Sequence, residues 1–412
     1  MKILLFFAAV LLSLSTVAQK DSDKEKKITI NIHGFIKSDY WYDTRQVAYA
    51  REGLFTLFPK DVKKDAAGKD LNAAASFNYS AITSRINFLI EGPEAFGAKT
   101  SGFVEADFSG VSNITINTFR LRHAYLKLQW PKTELLLGQF WHPDFVTDVF
   151  PTVLSLNTGA PFQPFIRSPQ IRLTLKKKAF NFVFTALSQR DYSNYGPLGR
   201  SPVYLSNSLI PNLNAQIRFH KGIHYAGAGI DWKTLRPRLV SDSNLISKEK
   251  VSGVSFMTYY ALKTKKFDWK SKAILGENLT DHLLLGGYAV AAIDSANDFR
   301  SYTPTRHFFL WTNFIFHKSF GKTSIHPGLF LGYAQNLGTA EENTGIYYTT
   351  GSNIDRMYRI SPAFSIKSQN TMFSLEWEMT TAYYGSLNKS GLVTDTHAVT
   401  NHRFLFTGFY FF

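Results

Sequence analysis

The 412-residue sequence contains no cysteine, which excludes disulfide bonds, thiolate nucleophiles and cysteine-ligated metals. From Gln19 onward it has no run of about eighteen apolar residues, the length that a helix needs to cross a bilayer. Catalytic signatures are missing as well: there is no His-Glu-x-x-His, no Gly-x-Ser-x-Gly and no phosphate-binding glycine loop. We therefore expect no catalytic residues, no cofactor and no metal site.

Residues 1–18 are typical of a cleaved signal peptide. Lys2 is followed by an apolar stretch to Leu14 and by small residues up to Ala18, after which we expect cleavage. The stretch is too short to span a bilayer, and no cysteine follows it as in a lipoprotein. Residues 19–27 are charged and predict a short solvated segment. Residues 28–412 then remain as a single domain.

The strand predicted at 397–412 is apolar on one face, where Phe404, Phe406, Gly408, Tyr410 and Phe412 alternate with other residues. Such a face promotes aggregation in water but is solvated by acyl chains in a bilayer. The pattern resembles the closing strand of bacterial outer-membrane barrels. Without a spanning helix, an exported chain can pair its backbone groups inside a membrane only as a closed barrel, so we expect a transmembrane antiparallel β-barrel.

The composition agrees with a barrel. Aromatic residues make up 15% of the chain, with 36 Phe and 20 Tyr, but the mean hydropathy is only −0.13. Aromatic girdles at two membrane interfaces and a polar lumen would produce both values. The net charge of +15 is compatible with nucleic acid, which an exported barrel would not meet. We expect the basic residues to neutralise lipopolysaccharide phosphates or to attract anions into the lumen.

Stretches of alternating character, each about ten residues long, predict sixteen strands. They are expected near 28–41, 77–91, 99–109, 118–130, 133–141, 169–178, 179–190, 211–220, 223–236, 251–264, 267–278, 305–318, 322–336, 355–369, 370–385 and 397–412. Residues 283–293 are apolar enough for a seventeenth strand, but a barrel with both termini in the periplasm needs an even number. We place them in an extracellular hairpin. A barrel of sixteen strands normally encloses an aqueous channel.

Alternation along these strands also predicts which side chains face the lumen, because charge on the lipid face is costly. The charged residues predicted to point inward are Arg85, Glu105, Asp107, Arg172, Lys176, Arg218, Arg359, Lys367, Glu376 and Glu378.

The parity of the strand at 118–130 is inconsistent. If Phe119 and Leu121 face outward, Arg120 and Arg122 point inside. The apolar residues later in the strand, however, can face outward only if both arginines do so too. A β-bulge near His123 would reconcile the two halves. We then expect both arginines to form a ladder of ion pairs with Glu105 and Asp107 of the neighbouring strand. The four charges either only brace the wall, or the arginines keep donors for a solute carboxylate.

Residues 142–168 form a long connection without a strand pattern, and such connections are usually functional or disordered. The aromatic residues and four prolines in this segment favour a compact, buried loop. This third extracellular connection is expected to fold into the barrel and narrow it, with Arg167 and Arg172 as the constriction. A loop that caps a trimer interface would have a similar sequence.

Several of these segments together resemble one family. Residues 103–108, 119–125, 135–141 and 167–172, with the proline-rich loop between the last two, are similar to the DcaP-like branch of outer-membrane porins. The resemblance covers residues 80–175, and the remainder shares only the strand rhythm. It implies a sixteen-stranded trimeric channel that admits small anionic solutes, dicarboxylates in particular. The N-terminal coiled coil of some members is missing.

The sequence thus predicts a passive diffusion porin of a Gram-negative outer membrane that prefers anions. The expected partners are small anionic solutes, membrane lipid and lipopolysaccharide, and two further copies of the chain, with no nucleic acid. The expected pore-lining or solute-binding residues are Arg85, Arg120, Arg122, Arg167, Arg172, Arg218, Arg359, Glu105 and Asp107. The alternative is a non-conducting barrel that serves as an adhesin, scaffold or partner-binding protein.

Overall fold

The structure is a computed structural model and describes residues 28–412. The predicted signal peptide and the charged segment, residues 1–27, lie outside the described residues. Besides strands, the described chain contains the helix α1, Val203–Ser208, and short 3-10 helices at Leu71–Ala73, Asn113–Thr115, Pro143–Phe145 and Thr280–His282.

The strands in chain order are β1 (Thr29–Asp43), β2 (Val47–Ala50), β3 (Phe55–Pro59), β4 (Ser76–Ser80), β5 (Arg85–Glu91), β6 (Lys99–Asp107), β7 (Arg120–Gln129), β8 (Thr133–Trp141), β9 (Arg167–Lys177), β10 (Phe180–Leu187), β11 (Tyr195–Gly196), β12 (Gly199–Arg200), β13 (Asn212–Lys221), β14 (His224–Leu235), β15 (Val251–Lys263), β16 (Phe267–Glu277), β17 (Gly286–Ile293), β18 (Arg300–Phe316), β19 (Lys318–Phe320), β20 (Thr323–Thr339), β21 (Tyr347–Thr350), β22 (Ile354–Ser368), β23 (Thr371–Leu387) and β24 (Val393–Phe411).

Sixteen wall strands close into an antiparallel barrel, as the sequence predicts. In this count β4 and β5 form one wall strand that is interrupted at residues 81–84, and β18 and β19 form another. The first strand closes the sheet because β1 pairs with β24 on one side and with β4 and β5 on the other. Closure satisfies the backbone groups that an open sheet would leave unpaired.

The apolar segment at 283–293 lies outside the wall. Its strand, β17, pairs with residues 300–304 of β18 and with the short strand β21. The hairpin interpretation of this segment is therefore correct. Because of this extra pairing, β18 begins at Arg300 and not near residue 305 as predicted.

Two-residue turns join some wall strands at one end of the barrel, such as 178–179 between β9 and β10. Longer connections join the strands at the other end. Four of them matter below: loop 1 (44–75), loop 3 (142–166), loop 4 (188–211) and loop 6 (278–299).

The wall is apolar outside and polar inside. On β13 the side chains of Leu213 and Ile217 are exposed on the outer face, whereas Asn214 and Gln216 are buried towards the lumen. The same alternation appears throughout the wall and confirms the predicted facing. Within residues 28–412, no helix is long and apolar enough to cross a membrane.

The main hydrophobic core lies inside the barrel. Phe58 of loop 1 and Val146, Val149 and Phe162 of loop 3 pack in one buried cluster with inner-wall side chains such as Trp311. The lumen is thus partly filled by the loops of the chain itself.

Candidate solute site inside the barrel

Loop 3 crosses the lumen and contacts the inner wall on several sides. Near its start, Lys272 Nζ on β16 donates to the backbone oxygens of Asp144 (2.7 Å) and Phe145 (2.9 Å). Farther along, Lys37 Nζ on β1 donates to the backbone oxygen of Leu154 (2.9 Å). These contacts show that the third connection folds inward, as the sequence predicts.

Two glutamates of β23 hold the middle of loop 3. Glu376 Oε2 accepts a hydrogen bond from the Leu154 N–H at 2.7 Å, and Glu378 Oε2 accepts one from Asn157 Nδ2 at 3.1 Å. Both glutamates are buried and face the lumen, as predicted. Charge-assisted hydrogen bonds of this kind are about twice as strong as neutral ones, so they fix the loop firmly.

Loop 1 is fixed beside loop 3 by two arginines of the wall. Arg359 donates from Nη1 to the Ala160 oxygen and from Nη2 to the Leu57 oxygen, both at 2.8 Å. Arg403 donates from Nη2 to the Gly53 oxygen at 2.6 Å. One guanidinium therefore binds both loops at once, since Ala160 belongs to loop 3 and Leu57 to loop 1.

The predicted ladder of ion pairs lies on β6 and β7. Arg120 donates from Nε and Nη2 to the two carboxylate oxygens of Asp107, at 3.0 and 2.8 Å. Arg122 donates from Nε to Glu105 Oε1 (2.7 Å) and from Nη1 to Asp107 Oδ2 (2.8 Å). All four side chains are buried, so both arginines face inward.

A bulge in β7 makes this arrangement possible. His123 pairs with Glu105 and Leu121 pairs with Ala106, which leaves Arg122 as the extra residue. A β-bulge changes the direction in which the neighbouring side chains point. This bulge lies next to His123, where the sequence predicts it.

Arg167 at the start of β9 is completely buried and forms an ion pair with Asp191 of loop 4. Its guanidinium lies over the rings of Trp141 (4.8 Å) and Phe165 (5.4 Å). Within residues 28–412, its Nε and Nη1 have no hydrogen-bond partner. Arg120 Nη1 lies 3.6 Å from the same Asp191 carboxylate. Burial alone would raise the pKa of Asp191, but Arg167 and Arg120 more than offset this and hold the pKa below its ordinary value.

Arg85 on β5 completes the group. Its Nη1 lies 3.7 Å from Glu105 Oε1, and its guanidinium lies 5.1 Å from the ring of Phe35. The buried Nε of Arg85 also has no hydrogen-bond partner in the described part of the chain. We refer to Arg85, Arg120, Arg122 and Arg167 as the arginine cluster.

A cavity of about 170 Å³ lies between the arginine cluster and loop 3. Its lining residues are Arg85, Arg122, Trp141, Phe145, Thr147, Phe150, Leu156, Thr158 and Phe165. The lining joins two guanidiniums, two hydroxyls and several aromatic rings. Guanidinium binds a carboxylate through two parallel hydrogen bonds, and the rings exclude water that would weaken this attraction. The cavity can therefore hold a small carboxylate.

Three other predicted site residues neither line this cavity nor belong to the ion-paired group beside it. Arg172 donates from Nη2 to the Trp141 oxygen (2.6 Å), and Arg218 donates from Nε to Gln216 Oε1 (3.1 Å). The third, Arg359, binds the two loops. The structure thus groups Arg85, Arg120, Arg122, Arg167, Glu105 and Asp107, and places Arg172, Arg218 and Arg359 elsewhere on the inner wall.

Some residues of the site were missed by sequence reasoning. Lys272 alternates with the outward-facing Trp269 and Leu275, so its parity could have placed it inside. Asp191 lies in loop 4, where no periodicity shows which way a side chain points. Its pairing with Arg167 becomes visible only in three dimensions.

No protein-family profile and no curated protein matches the sequence. Among solved structures, the chain is similar to the outer membrane channel DcaP of Acinetobacter baumannii, with a TM-score of 0.69 and 17% identity over 96% of this chain and 100% of that chain. The chain is also similar to OmpT, an outer membrane protein of Vibrio cholerae, with a TM-score of 0.54 and 11% identity over 95% of this chain and 100% of that chain. For an anion-selective porin from Comamonas acidovorans, the TM-score is 0.52 and the identity is 10% over 94% of this chain and 100% of that chain. At these identities the similarity establishes a common fold, the sixteen-stranded barrel of porins.

Proposed function

We propose that this chain is a DcaP-like outer-membrane porin, a passive diffusion channel that prefers small anionic solutes, dicarboxylates in particular. The shared barrel fold supports a channel, and one structure of this fold is described as an anion-selective porin. The apolar outer face and the polar lumen support a position across a membrane.

The observation that carries the anion preference is the charge around the cavity. Two arginines, Arg85 and Arg122, line it, and the other two arginines of the cluster lie close behind. Their acidic partners are Glu105, Asp107 and Asp191. Four guanidiniums thus face three carboxylates, which leaves one formal positive charge for an incoming anion.

Passage requires weak binding. Arginine donors replace part of the hydration shell of an anion as it enters the narrow part of the lumen, and release requires that no single contact holds it long. The Nε atom of Arg85, a residue that lines the cavity, lacks a partner among residues 28–412 and attracts an anion without first breaking an ion pair. A solute with two carboxylates interacts with the cluster at both ends.

The remaining elements of the proposal concern the setting of the channel. Residues 1–18 act as a signal peptide that is removed on export, residues 19–27 form a short periplasmic segment, and residues 28–412 form one barrel domain. The barrel lies in the outer membrane of a Gram-negative bacterium, contacts lipopolysaccharide and assembles as a homotrimer. Solute passage involves no chemical step.

Planar-bilayer recording in a salt gradient tests this function. We expect a reversal potential of anionic sign, and a shift towards zero in Arg85→Gln because a charge that lines the cavity is lost. Arg356→Gln serves as the control, since Arg356 is partly exposed and pairs with Asp355 away from the cavity. A reversal potential of cationic sign in the wild type would reject the anion preference.

A second candidate, a non-conducting barrel that serves as an adhesin or scaffold, is favoured by one observation. Arg359 and Arg403 are almost completely buried and donate to backbone oxygens of loops 1 and 3, so these loops fill part of the lumen. Single-channel recording separates the two functions because a plugged barrel passes no ions. Liposome swelling with mono- and dicarboxylates then tests the solute class, and faster swelling with dicarboxylates is expected.

A further inference from the structure

Two histidines and one aspartate meet at the start of loop 3. His142 is the first residue of loop 3, His282 lies in loop 6, and Asp231 lies on the inner face of β14. All three are buried, with 2%, 0% and 2% of their surfaces exposed. One ligand atom from each residue lies within 4.8 Å of the others.

The imidazole nitrogens of this group are poorly satisfied. His142 Nε2 and both ring nitrogens of His282 are buried and have no hydrogen-bond partner within residues 28–412. Buried polar atoms are almost always paired, so three unpaired atoms on two neighbouring rings need an explanation. Imidazole nitrogens are common metal ligands, and unpaired ones can bind an ion without first breaking a hydrogen bond.

The surroundings hold the possible ligands in place. Asp231 Oδ1 accepts hydrogen bonds from Asn212 Nδ2 (2.8 Å) and Asn214 Nδ2 (3.0 Å), and lies 3.5 Å from His142 Nε2. The rings of His142 and His282 meet edge to face, with centroids 4.5 Å apart. Amide and carboxylate groups that orient ligands in this way are typical of metal sites.

Charged groups of both signs surround the three residues. Asp231 lies among two further carboxylates, of Asp144 and Asp281, and two ammonium groups, of Lys233 and Lys272. Lys233 is paired with Asp281, and Lys272 binds backbone oxygens of loop 3. Arg172 is a third basic group that acts on this site, so the formal charges balance, and the feature that favours an ion here is the set of unpaired ring nitrogens.

We propose that His142, Asp231 and His282 bind one divalent transition-metal ion, with Zn²⁺ as the best-fitting ion. Two imidazoles and one carboxylate are a ligand set that zinc accepts, with a fourth position left for water. Mg²⁺ and Ca²⁺ prefer oxygen ligands and fit poorly. The bound ion would join the start of loop 3 and loop 6 to the wall and so fix the position of the loop that narrows the lumen.

Binding requires two small adjustments. Ligand atoms around a tetrahedral zinc lie about 3.3 Å apart, so the group must contract from its present spread. His142 Nδ1 now accepts a hydrogen bond from the Asp144 N–H (3.2 Å), which places the ring proton on Nε2. For Nε2 to bind zinc, this proton moves to Nδ1, which breaks the hydrogen bond from the Asp144 N–H and leaves the Asp144 carboxylate, 4.0 Å away, as the nearby acceptor. The sequence predicts no such site because the three ligands come from separate segments with no motif spacing.

Metal analysis of the full refolded barrel in detergent tests the proposal. After incubation with Zn²⁺ and dialysis against metal-free buffer, we expect about one zinc per chain and an increased melting temperature that a chelator reverses. In His282→Ala the zinc affinity should fall at least about tenfold. His307→Ala is the matched control, because His307 is equally buried and its Nε2 is also unpaired in the described chain, but it belongs to no such group.

The wild-type protein alone tests the proposal if a variant does not fold. Replacement by Co²⁺ should produce the absorption bands of a tetrahedral site with nitrogen and oxygen ligands. Failure of the wild type to retain zinc, or equal retention by His282→Ala and wild type, would overturn the proposal. The group would then be a buried polar cluster that holds no ion.

Discussion

Arg359 and Glu378 lie on neighbouring strands of the inner wall, with Arg359 Nη2 3.3 Å from Glu378 Oε1, and both side chains bind loop 3. Arg359 donates to the Ala160 oxygen, whereas Glu378 accepts from Asn157. The two charged groups thus pair with each other, and each also forms a hydrogen bond with loop 3: Arg359 with a backbone oxygen and Glu378 with a side-chain amide. The charges of this part of the wall position loop 3 and do not face open water.

We expect Arg359→Ala to release both loops. The substitution leaves Glu378 without its buried cationic partner and removes the donors to Leu57 and Ala160, so the free energy of unfolding should fall by about 3–5 kcal/mol. Freed loops should also widen the lumen and increase the unitary conductance. Denaturant titration in detergent and single-channel recording measure the two effects.

Arg306→Ala is the control for this experiment. Arg306 is about half exposed and its ion pair with Glu277 (3.3 Å) lies outside the lumen, so its loss should change stability by no more than about 1 kcal/mol. Equal effects of the two substitutions would show that Arg359 does not hold the loops.

Asp107 should be the most sensitive carboxylate of the ion-pair ladder. It is completely buried and accepts from both Arg120 and Arg122. Asp107→Ala leaves two buried guanidiniums short of a partner, and we expect a loss of about 3–5 kcal/mol in the free energy of unfolding, measured by denaturant titration.

The ion pair of Glu134 and Lys176 provides the comparison. It has a similar distance, 3.2 Å, but its side chains are 24% and 31% exposed. Solvent screens such a pair, so Glu134→Ala should cost no more than about 1 kcal/mol. A similar loss for both carboxylates would mean that burial does not determine the strength of these pairs.

The wall could be predicted from sequence because alternation has a physical cause at every strand. Val104 lies on the outer face and Glu105 faces the lumen, and a change of register would turn such charged residues to the apolar outer face. The bulge at Arg122 was predictable for the same reason, since two halves of one strand required opposite parity. These features depend on local chemistry alone.

The interior of the barrel could not be predicted in the same way. Alternation places Arg359 in the lumen but does not show that loops 1 and 3 cover it, because loop conformation depends on contacts between distant segments. Phe162 of loop 3, for example, lies against Gly332 on β20. Nothing near either residue in the sequence indicates this contact.

The contact between Phe162 and Gly332 gives a direct test of how loop 3 docks. A Cβ atom at Gly332 would lie only 2.6 Å from the Phe162 ring, so Gly332→Ala should displace the loop. We expect a loss of about 1–3 kcal/mol in the free energy of unfolding and a changed conductance. Gly102→Ala is the matched control, because a Cβ there meets its nearest neighbour at 3.9 Å. If both substitutions leave the conductance unchanged, the ring does not fix the loop.

Asp191 should make a pH-dependent contribution to stability. Burial alone would raise its pKa, but Arg167 and Arg120 hold it below the ordinary value of about 3.9. A carboxyl whose native pKa is depressed contributes stability above the pKa of the unfolded chain, and this contribution is lost as the pH falls through the native pKa. At neutral pH, Asp191→Asn should therefore lower the free energy of unfolding by about 1.5–3 kcal/mol.

The pH dependence separates this ion pair from a simple packing effect. The difference between wild type and Asp191→Asn should stay constant from neutral pH down to about pH 5 and shrink below about pH 4, where the carboxyl of the unfolded chain takes up a proton before that of the native chain does. Asp395→Asn, at an exposed position near the start of β24, is the control and should change the free energy of unfolding little. Denaturant titrations across this range measure all three chains. If the difference for Asp191→Asn persisted undiminished in acid, its cause would be shape and not charge, and Arg167 would not depend on Asp191 for its position behind the cavity.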